Sequence, residues 1–265
     1  MQQLCSFFLA VIMSLLALTP FSAAAQERER TTQPASIVKR IDPTDFTTRL
    51  EFRNQFRSLQ HVKEKNIAYP RLDYAFSKIF MARLEIRMVY LNPDIQGIDS
   101  ETGLGDVLIR GAVRAARGKG YAVVAGTELI FDTATEEILG TGKYQLAPLV
   151  FASIDVPFLR STLYPFYQHY FSFAGDGSRL DIHYNSFRPS VIVTKWGHRW
   201  YTALDPNFYV DLEQGPDAGM TLELEAGRGL NKNFSVWVRP GIGAFGDIPQ
   251  VYDWNLEVGM RYLFQ

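Results

Sequence analysis

The sequence has very little cysteine and no surplus of charge of either sign. Its one cysteine, Cys5, lies ahead of the apolar run near the N-terminus, so the chain after that run can form neither a disulfide nor a thiol nucleophile. Lys and Arg number 27 against 28 Asp and Glu. No basic excess is present to hold a polyanion, which disfavours a nucleic-acid partner. Beyond the N-terminus no stretch reaches the roughly 18 uncharged apolar residues of a membrane-spanning helix, which excludes a helical membrane protein.

The first 25 residues are typical of a secretory signal peptide. They contain no Asp, Glu, Lys or Arg, and residues 7–18 form a compact apolar run. Pro20 follows that run, and Ala23 to Ala25 provide the small residues that a signal peptidase requires. We therefore predict cleavage after Ala25 and export to the bacterial envelope. Residues 26–47 are polar, and we interpret them as a periplasmic lead-in segment, too short to plug a pore as a folded unit.

From residue 48 onward, apolar and polar residues alternate with period two. In the last segment Leu256, Val258 and Met260 share one face, while Glu257 and Arg261 lie on the other. No helical period of similar length competes. Twelve such segments occur, at 48–58, 68–77, 80–91, 104–116, 121–132, 143–155, 162–173, 182–195, 199–211, 219–229, 234–245 and 252–264.

The spacing of these segments favours an all-β fold, a 12-stranded antiparallel transmembrane β-barrel over residues 48–265. An even strand number, segments of about ten residues, and short turns alternating with longer loops are typical of outer-membrane barrels. Aromatic residues near segment ends, among them Tyr69, Tyr252 and Trp254, are interpreted as interfacial girdles. A soluble β-sandwich or a lipocalin-like barrel is the alternative, because its strands also alternate.

The final segment carries a second signal. Residues 257–264 place a glycine two positions after Glu257, and aromatic residues three and five positions after that glycine. This resembles the C-terminal signal by which the barrel-assembly machinery captures outer-membrane substrates. A final strand of this kind can pair as an edge strand before the barrel closes. The expected partners are this machinery during biogenesis, and then outer-membrane lipid and lipopolysaccharide.

Three glycine-rich stretches carry a family resemblance. They are Thr102-Gly103-Leu104-Gly105-Asp106, residues 139–148 (LGTGKYQLAP) and Ser172-Phe173-Ala174-Gly175-Asp176. In this order and spacing they are similar to a family of outer-membrane β-barrel transporters labelled "MetA-pathway of phenol degradation", over residues 45–264. The resemblance implies a 12-stranded barrel in the outer membrane of a Gram-negative bacterium and an uptake role for small organic compounds.

The inward-facing positions are densely charged. Arginine rather than lysine supplies the positive charge there, and guanidinium pairs well with carboxylate in partly desolvated surroundings. The rows support two interpretations: a charged constriction that selects small solutes, or ion pairs that only brace the barrel. The predicted lumen-lining residues are Arg53, Arg83, Glu85, Arg87, Asp106, Arg110, Arg114, Glu128, Arg188, Asp205, Glu223, Glu225, Arg239, Glu257 and Arg261.

An enzymatic role is disfavoured. A lipid hydrolase would need a serine beside a histidine base, and only His169 and His183 have candidate neighbours, which are Ser172, Ser186 and Asn185. The histidines lack metal-ligand spacing, and we predict no catalytic, cofactor or metal residues. The sequence thus favours a narrow channel or transporter for small organic solutes, aromatic or hydrophobic ones included. The alternatives are a structural or adhesive envelope barrel and, less favoured, a lipid hydrolase.

Overall fold

A computed structural model describes residues 41–59, 62–93, 99–194, 199–213 and 217–264. The predicted signal peptide and the lead-in segment up to residue 40 lie outside these ranges. Within them no helix is long and apolar enough to cross a membrane.

The described residues form fourteen β-strands, β1 to β14, and two short 3-10 helices at Glu137–Leu139 and Pro157–Leu159. The strands are β1 Arg49–Leu59, β2 Val62–Ala75, β3 Phe80–Glu85, β4 Met88–Pro93, β5 Glu101–Leu104, β6 Val107–Gly118, β7 Tyr121–Phe131, β8 Lys143–Val156, β9 Ser161–Gly175, β10 His183–Val193, β11 Trp200–Asp211, β12 Asp217–Gly229, β13 Phe234–Phe245 and β14 Trp254–Leu263.

The strands close into one antiparallel barrel. β1 pairs with β2 on one side and with β14 on the other, with Phe52 opposite Met260 in the closing pair. β3 and β4 are two halves of one spanning strand, as are β5 and β6, so the barrel has twelve spanning strands. The two interruptions are adjacent, since the Gly105 amide donates to the Arg87 carbonyl at 2.9 Å. This confirms the predicted 12-stranded barrel.

The two ends of the barrel differ. The end that we call the short-turn end is where β2 ends and β3 begins, with residues 76–79, 119–120, 157–160 and 230–233 and both ends of the described chain. The opposite, loop end is where β1 ends and β2 begins, with residues 99–100, 132–142, 176–182, 212–213 and 246–253. The first connection at the loop end differs from expectation. β2 begins at Val62 rather than near residue 68, so only residues 60–61 separate it from β1.

The polarity of the barrel is inverted relative to a soluble protein. Glu51, Asp73 and Glu257 are almost fully buried inside, whereas large apolar side chains of the outer face are exposed. A continuous apolar exterior around a charged interior is the arrangement that hydrocarbon requires, and it disfavours the soluble alternative. Exposed members of the outer face include Phe52, Phe56, Leu72, Leu84, Ile109, Leu129, Val150, Phe187, Leu204, Leu224, Val258 and Met260.

Glycines on the inner face make room for large side chains of neighbouring strands. A Cβ at Gly259 would lie 2.2 Å from the Trp237 ring, and one at Gly227 would lie 2.2 Å from the Tyr201 ring. Trp237 and Tyr201 are both buried. The glycine in the C-terminal segment therefore serves interior packing as well.

We expect Gly259→Val to lower the free energy of unfolding by about 1–3 kcal/mol, the usual cost of overpacking a filled interior. Denaturant titration of the refolded barrel measures the change. Gly111→Val is the matched control, since Gly111 faces outward with nothing within 4 Å of an added Cβ. Equal effects of the two substitutions would contradict this account of Gly259.

Candidate functional site

The barrel encloses a cavity of about 310 Å³. Its wall carries nine arginines but five carboxylates, with Gln168, Tyr170 and Tyr201 among the other lining side chains. Eleven of the fifteen residues predicted to face the lumen lie in this wall: Arg53, Arg83, Glu85, Arg87, Arg110, Glu128, Arg188, Asp205, Glu225, Arg239 and Arg261.

Two further predicted residues lie at opposite ends of the barrel. Asp106 is buried at the loop end, where its Oδ2 accepts hydrogen bonds from the Thr141 amide and hydroxyl, both at 2.8 Å. Arg114 lies at the short-turn end, where its Nε donates to the Thr44 carbonyl at 2.9 Å. Both residues hold connecting segments in place rather than lining the cavity.

Glu223 and Glu257 lie beside the cavity rather than in its wall. Glu257 is fully buried and accepts hydrogen bonds from Gln55 Nε2 at 2.6 Å and Trp237 Nε1 at 2.8 Å. Glu223 accepts a hydrogen bond from the Tyr252 hydroxyl at 2.7 Å. Tyr252 is therefore an interior residue. Tyr69 is one as well, because its hydroxyl donates to Glu257 at 3.2 Å, and the prediction that these tyrosines form an interfacial girdle is wrong.

Glu51 is the centre of one group of ion pairs. Its carboxylate lies 2.6 Å from Arg261 Nε, 2.6 Å from an Arg53 nitrogen and 3.6 Å from an Arg71 nitrogen. The side chains come from β1, β2 and β14, so this one carboxylate links the strands on both sides of the barrel closure.

Asp73 is the centre of a second group. It pairs with Arg83 Nε at 2.6 Å and with Arg49 Nε at 2.8 Å. Arg49 was missed among the predicted lumen residues, although it has the same odd parity along β1 as Glu51 and Arg53. Because Arg49 is the first residue of β1, the alternation that places its side chain inside was overlooked.

Three more pairs continue around the wall. Arg110 pairs with Glu128, Arg188 with Asp205, and Arg239 with Glu225. Gln168 Nε2 also donates to Glu128 at 2.7 Å. Arg239 Nη1 lies 3.7 Å from Asp205 and so joins the last two pairs to each other. Most interior arginines are thus neutralised locally in pairs that span neighbouring strands.

The expectation that no lysine faces the interior is wrong. Lys143 is buried at the loop end and binds Asp181 at 2.7 Å. Lys65 falls between the predicted segments 48–58 and 68–77, but because β2 begins at Val62 it lies within that strand. It shares the inner face with Ile67 and Tyr69 and lies directly opposite Arg57 on β1.

The end of the predicted lead-in segment packs inside the short-turn end of the barrel. Ile41 is buried against Tyr201, and the Thr44 hydroxyl lies 3.0 Å from that of Ser153. Phe46 is buried in an apolar cluster on the inner wall. The last residues of the segment are therefore not a free linker, because two apolar side chains in an otherwise polar stretch find apolar partners within the barrel.

Two polar contacts complete this docking. The Arg114 guanidinium lies over the Phe46 ring, 5.1 Å from its centroid. Asp42 accepts hydrogen bonds from the amide and hydroxyl of Thr44, at 2.8 and 2.7 Å. Burial nevertheless raises the pKa of the Asp42 carboxyl, with these hydrogen bonds opposing the shift. Protonation of Asp42 therefore favours the docked segment.

The side chains considered for a lipid hydrolase lie on opposite faces of the sheet. His169, with its Nδ1 2.8 Å from Asn185 Oδ1, is on the outer face beside His183, and their ring centroids are 5.1 Å apart. Ser186 is buried on the inner face with Asn207, and Ser172 lies there as well, beside Asp181. No serine of this set reaches a histidine. Nor do the described residues contain three or more His, Cys, Asp or Glu side chains grouped to hold a metal ion.

A closed barrel with an apolar exterior and an ion-paired interior defines the class of outer-membrane β-barrels. The sequence matches no protein-family profile and no curated protein. Among solved structures, the COG4313 outer membrane channel from Pseudomonas putida F1 is similar, with a TM-score of 0.67 and 9% identity over 84% of this chain and 100% of that one.

Two porins are similar as well. The NanC porin has a TM-score of 0.58 and 12% identity over 80% of this chain and 98% of its own. The KdgM porin has a TM-score of 0.57 and 10% identity over 82% of this chain and 99% of its own. At these identities the likeness establishes the fold alone, that of an outer-membrane β-barrel.

We expect Glu51→Gln to lower the free energy of unfolding by about 3 kcal/mol or more, because it removes the charge of a buried carboxylate that three buried guanidinium groups share. Denaturant titration of the refolded barrel measures the loss. Glu213→Gln is the matched control, since Glu213 is exposed at the loop end. A Glu51→Gln barrel as stable as this control would show that the ion pairs around Glu51 contribute little.

Proposed function

We propose that this protein is a narrow channel or transporter for small organic solutes in the outer membrane of a Gram-negative bacterium. The observation that carries the proposal is a polar cavity of about 310 Å³ inside a closed barrel whose outer face is apolar. A volume near the lower end of known ligand pockets suits a small molecule, and twelve strands make a narrower lumen than the open 16–18-stranded porins.

The proposed placement has the short-turn end in the periplasm and the loop end facing outward, as in bacterial barrels with short periplasmic turns. It includes export by a signal peptide cleaved after Ala25, assembly by the barrel-assembly machinery and contact with lipopolysaccharide. The similarity of fold to the COG4313 channel supports a transport role. The resemblance to the phenol-degradation transporters favours aromatic or hydrophobic solutes.

The charged wall has a proposed role in selection. Arg53, Arg83, Arg110 and Arg239 present guanidinium groups to the cavity, each held by a carboxylate of the same or a neighbouring strand. Fixed guanidinium groups around a constriction select solutes by charge and hydrogen-bonding capacity. The docked residues 41–46 would narrow the periplasmic exit.

A structural barrel without transport is the second candidate. The dense ion pairing and the packing of Ile41 and Phe46 within the short-turn end both favour it. The two functions differ in one measurable property, which is passage of ions or solutes through the refolded barrel. Planar-bilayer recording and liposome swelling distinguish them, and an absence of both current and swelling would remove the channel proposal.

We expect Phe46→Ala to raise single-channel conductance, because loss of a buried phenylalanine side chain weakens packing by about 3–5 kcal/mol and would release the segment from the short-turn end. Phe158→Ala is the matched control, as Phe158 is 85% exposed at the same end of the barrel. If conductance is the same in the wild type and in both variants, the docked segment does not limit flow.

A further inference from the structure

Toward the loop end of the lumen, two cations among the described residues lack the carboxylate partner that the other interior arginines have, and a third cation, Arg87, interacts with one of them. We call Arg57, Lys65 and Arg87 the basic trio. Among the described residues, Arg57 and Lys65 form no ion pair. Arg87 lies 2.9 Å from Glu85, but that carboxylate is shared with Arg71 at 2.6 Å. Positive charge is therefore in excess at this level of the lumen.

The register places two of these cations side by side. Arg57 on β1 and Lys65 on β2 are direct cross-strand neighbours on the inner face. Like charges in this position destabilise a sheet, and a counter-ion would relieve this repulsion, which the contact of Arg57 with the Tyr252 ring, 5.5 Å from its centroid, does not remove. The Arg57 Nε group is, moreover, buried without a hydrogen-bond partner among the described residues. A buried donor of this kind calls for an ion or water as acceptor.

Among the described residues, no carboxylate lies within ion-pair distance of Arg57 or Lys65. The charged groups there that interact with the Lys65 ammonium are Arg57, Arg87 and Asp106. Asp106 binds Thr141 through its Oδ2, and Glu223, which interacts with Tyr252 and Tyr209 as Arg57 does, pairs with Arg239. The local excess of positive charge favours binding of an external anion, which would accept charge-assisted hydrogen bonds from guanidinium and ammonium groups.

Tyrosines of β9, β10 and β11 share the inner face toward the loop end. Tyr170 and Tyr184 are stacked, with ring centroids 4.4 Å apart and planes inclined by 13°. Tyr184 interacts electrostatically with Arg87, and Tyr209 does so with Arg57. Aromatic rings near guanidinium groups favour a flat, ring-bearing partner over a bulky or fully hydrated one.

We propose that the basic trio and these tyrosines form a binding site for a small organic anion that carries a planar ring, such as an aromatic carboxylate. The carboxylate would meet Arg57 and Lys65, and the ring would lie along the tyrosines. The role of this site rests on the channel function proposed above. The site would bind the solute at the loop end before the solute enters the cavity.

The first experiment uses the refolded full-length wild type and titrates it calorimetrically with benzoate, cyclohexanecarboxylate and benzyl alcohol. We expect benzoate to bind, and benzyl alcohol to bind about tenfold more weakly or less, since it lacks the charge that strengthens the hydrogen bonds. Cyclohexanecarboxylate is expected between them. Benzoate that does not bind, or binds no better than benzyl alcohol, would overturn the proposal.

The second experiment locates the site with Arg57→Gln/Lys65→Gln. We expect benzoate affinity to fall about tenfold or more, while the unfolding midpoint stays unchanged or rises because a like-charge pair has been removed. Lys78→Gln/Lys119→Gln is the matched control; it removes the same charge from exposed positions at the short-turn end. Equal benzoate affinity in the two double variants would refute the assigned site.

These measurements separate the inference from the channel proposal. Benzoate binding requires a folded barrel but no conduction. A barrel that binds benzoate and passes no current would therefore support the binding site and contradict the channel proposal. Conversely, the barrel could conduct without binding benzoate, with a reversal potential in a KCl gradient that shows no anion preference. That result would support the channel proposal and contradict the binding site.

Discussion

Closure of the sheet is the constraint on which the rest of the structure depends. β1 pairs with β14 along its whole length, so the barrel has no strand edge with unpaired amide and carbonyl groups. Hydrocarbon offers no hydrogen bonds, and a spanning sheet is stable there only when closed. Once the sheet closes, every second side chain must face inward, whatever its chemistry. The charged side chains lie inside because they occupy every second position of the strands. They are stable there because they form ion pairs with one another.

Pairing explains why the interior consists mainly of arginine and carboxylate. A guanidinium group can bind two carboxylates at once, as Arg239 does with Glu225 and with Asp205, the latter at 3.7 Å. These contacts connect β13 to β11, two strands that are not hydrogen-bonded to each other, which a single ammonium group does less well. A pair of this kind is costly to break but adds little net stability over an apolar pair. Its main structural effect is to hold the wall in one arrangement.

The sequence was sufficient to predict the 12-stranded barrel, because the strand number and the two faces follow from an alternation that is visible along one strand at a time. It was insufficient where an outcome depends on contacts between distant residues. Parity could have identified Arg49, whereas nothing local indicates that Phe46 enters the barrel, since its partners Met81 and Phe151 lie far along the chain. Lys65 was misplaced because the hairpin between β1 and β2 is shorter than an outer loop usually is.

The contrast between paired and unpaired cations gives the interior two regions with different physical roles. Around Glu51 and Asp73 each arginine has a carboxylate within 4 Å, so removal of a partner acts first on stability. Arg57 and Lys65 repel each other, and among the described residues no carboxylate pairs with either of them, although Arg57 lies over the Tyr252 ring. Residues whose charges lower stability are typical of sites shaped for a ligand. For this reason, binding of an anionic solute would be most favourable beside Arg57 and Lys65, which lack a carboxylate partner among the described residues.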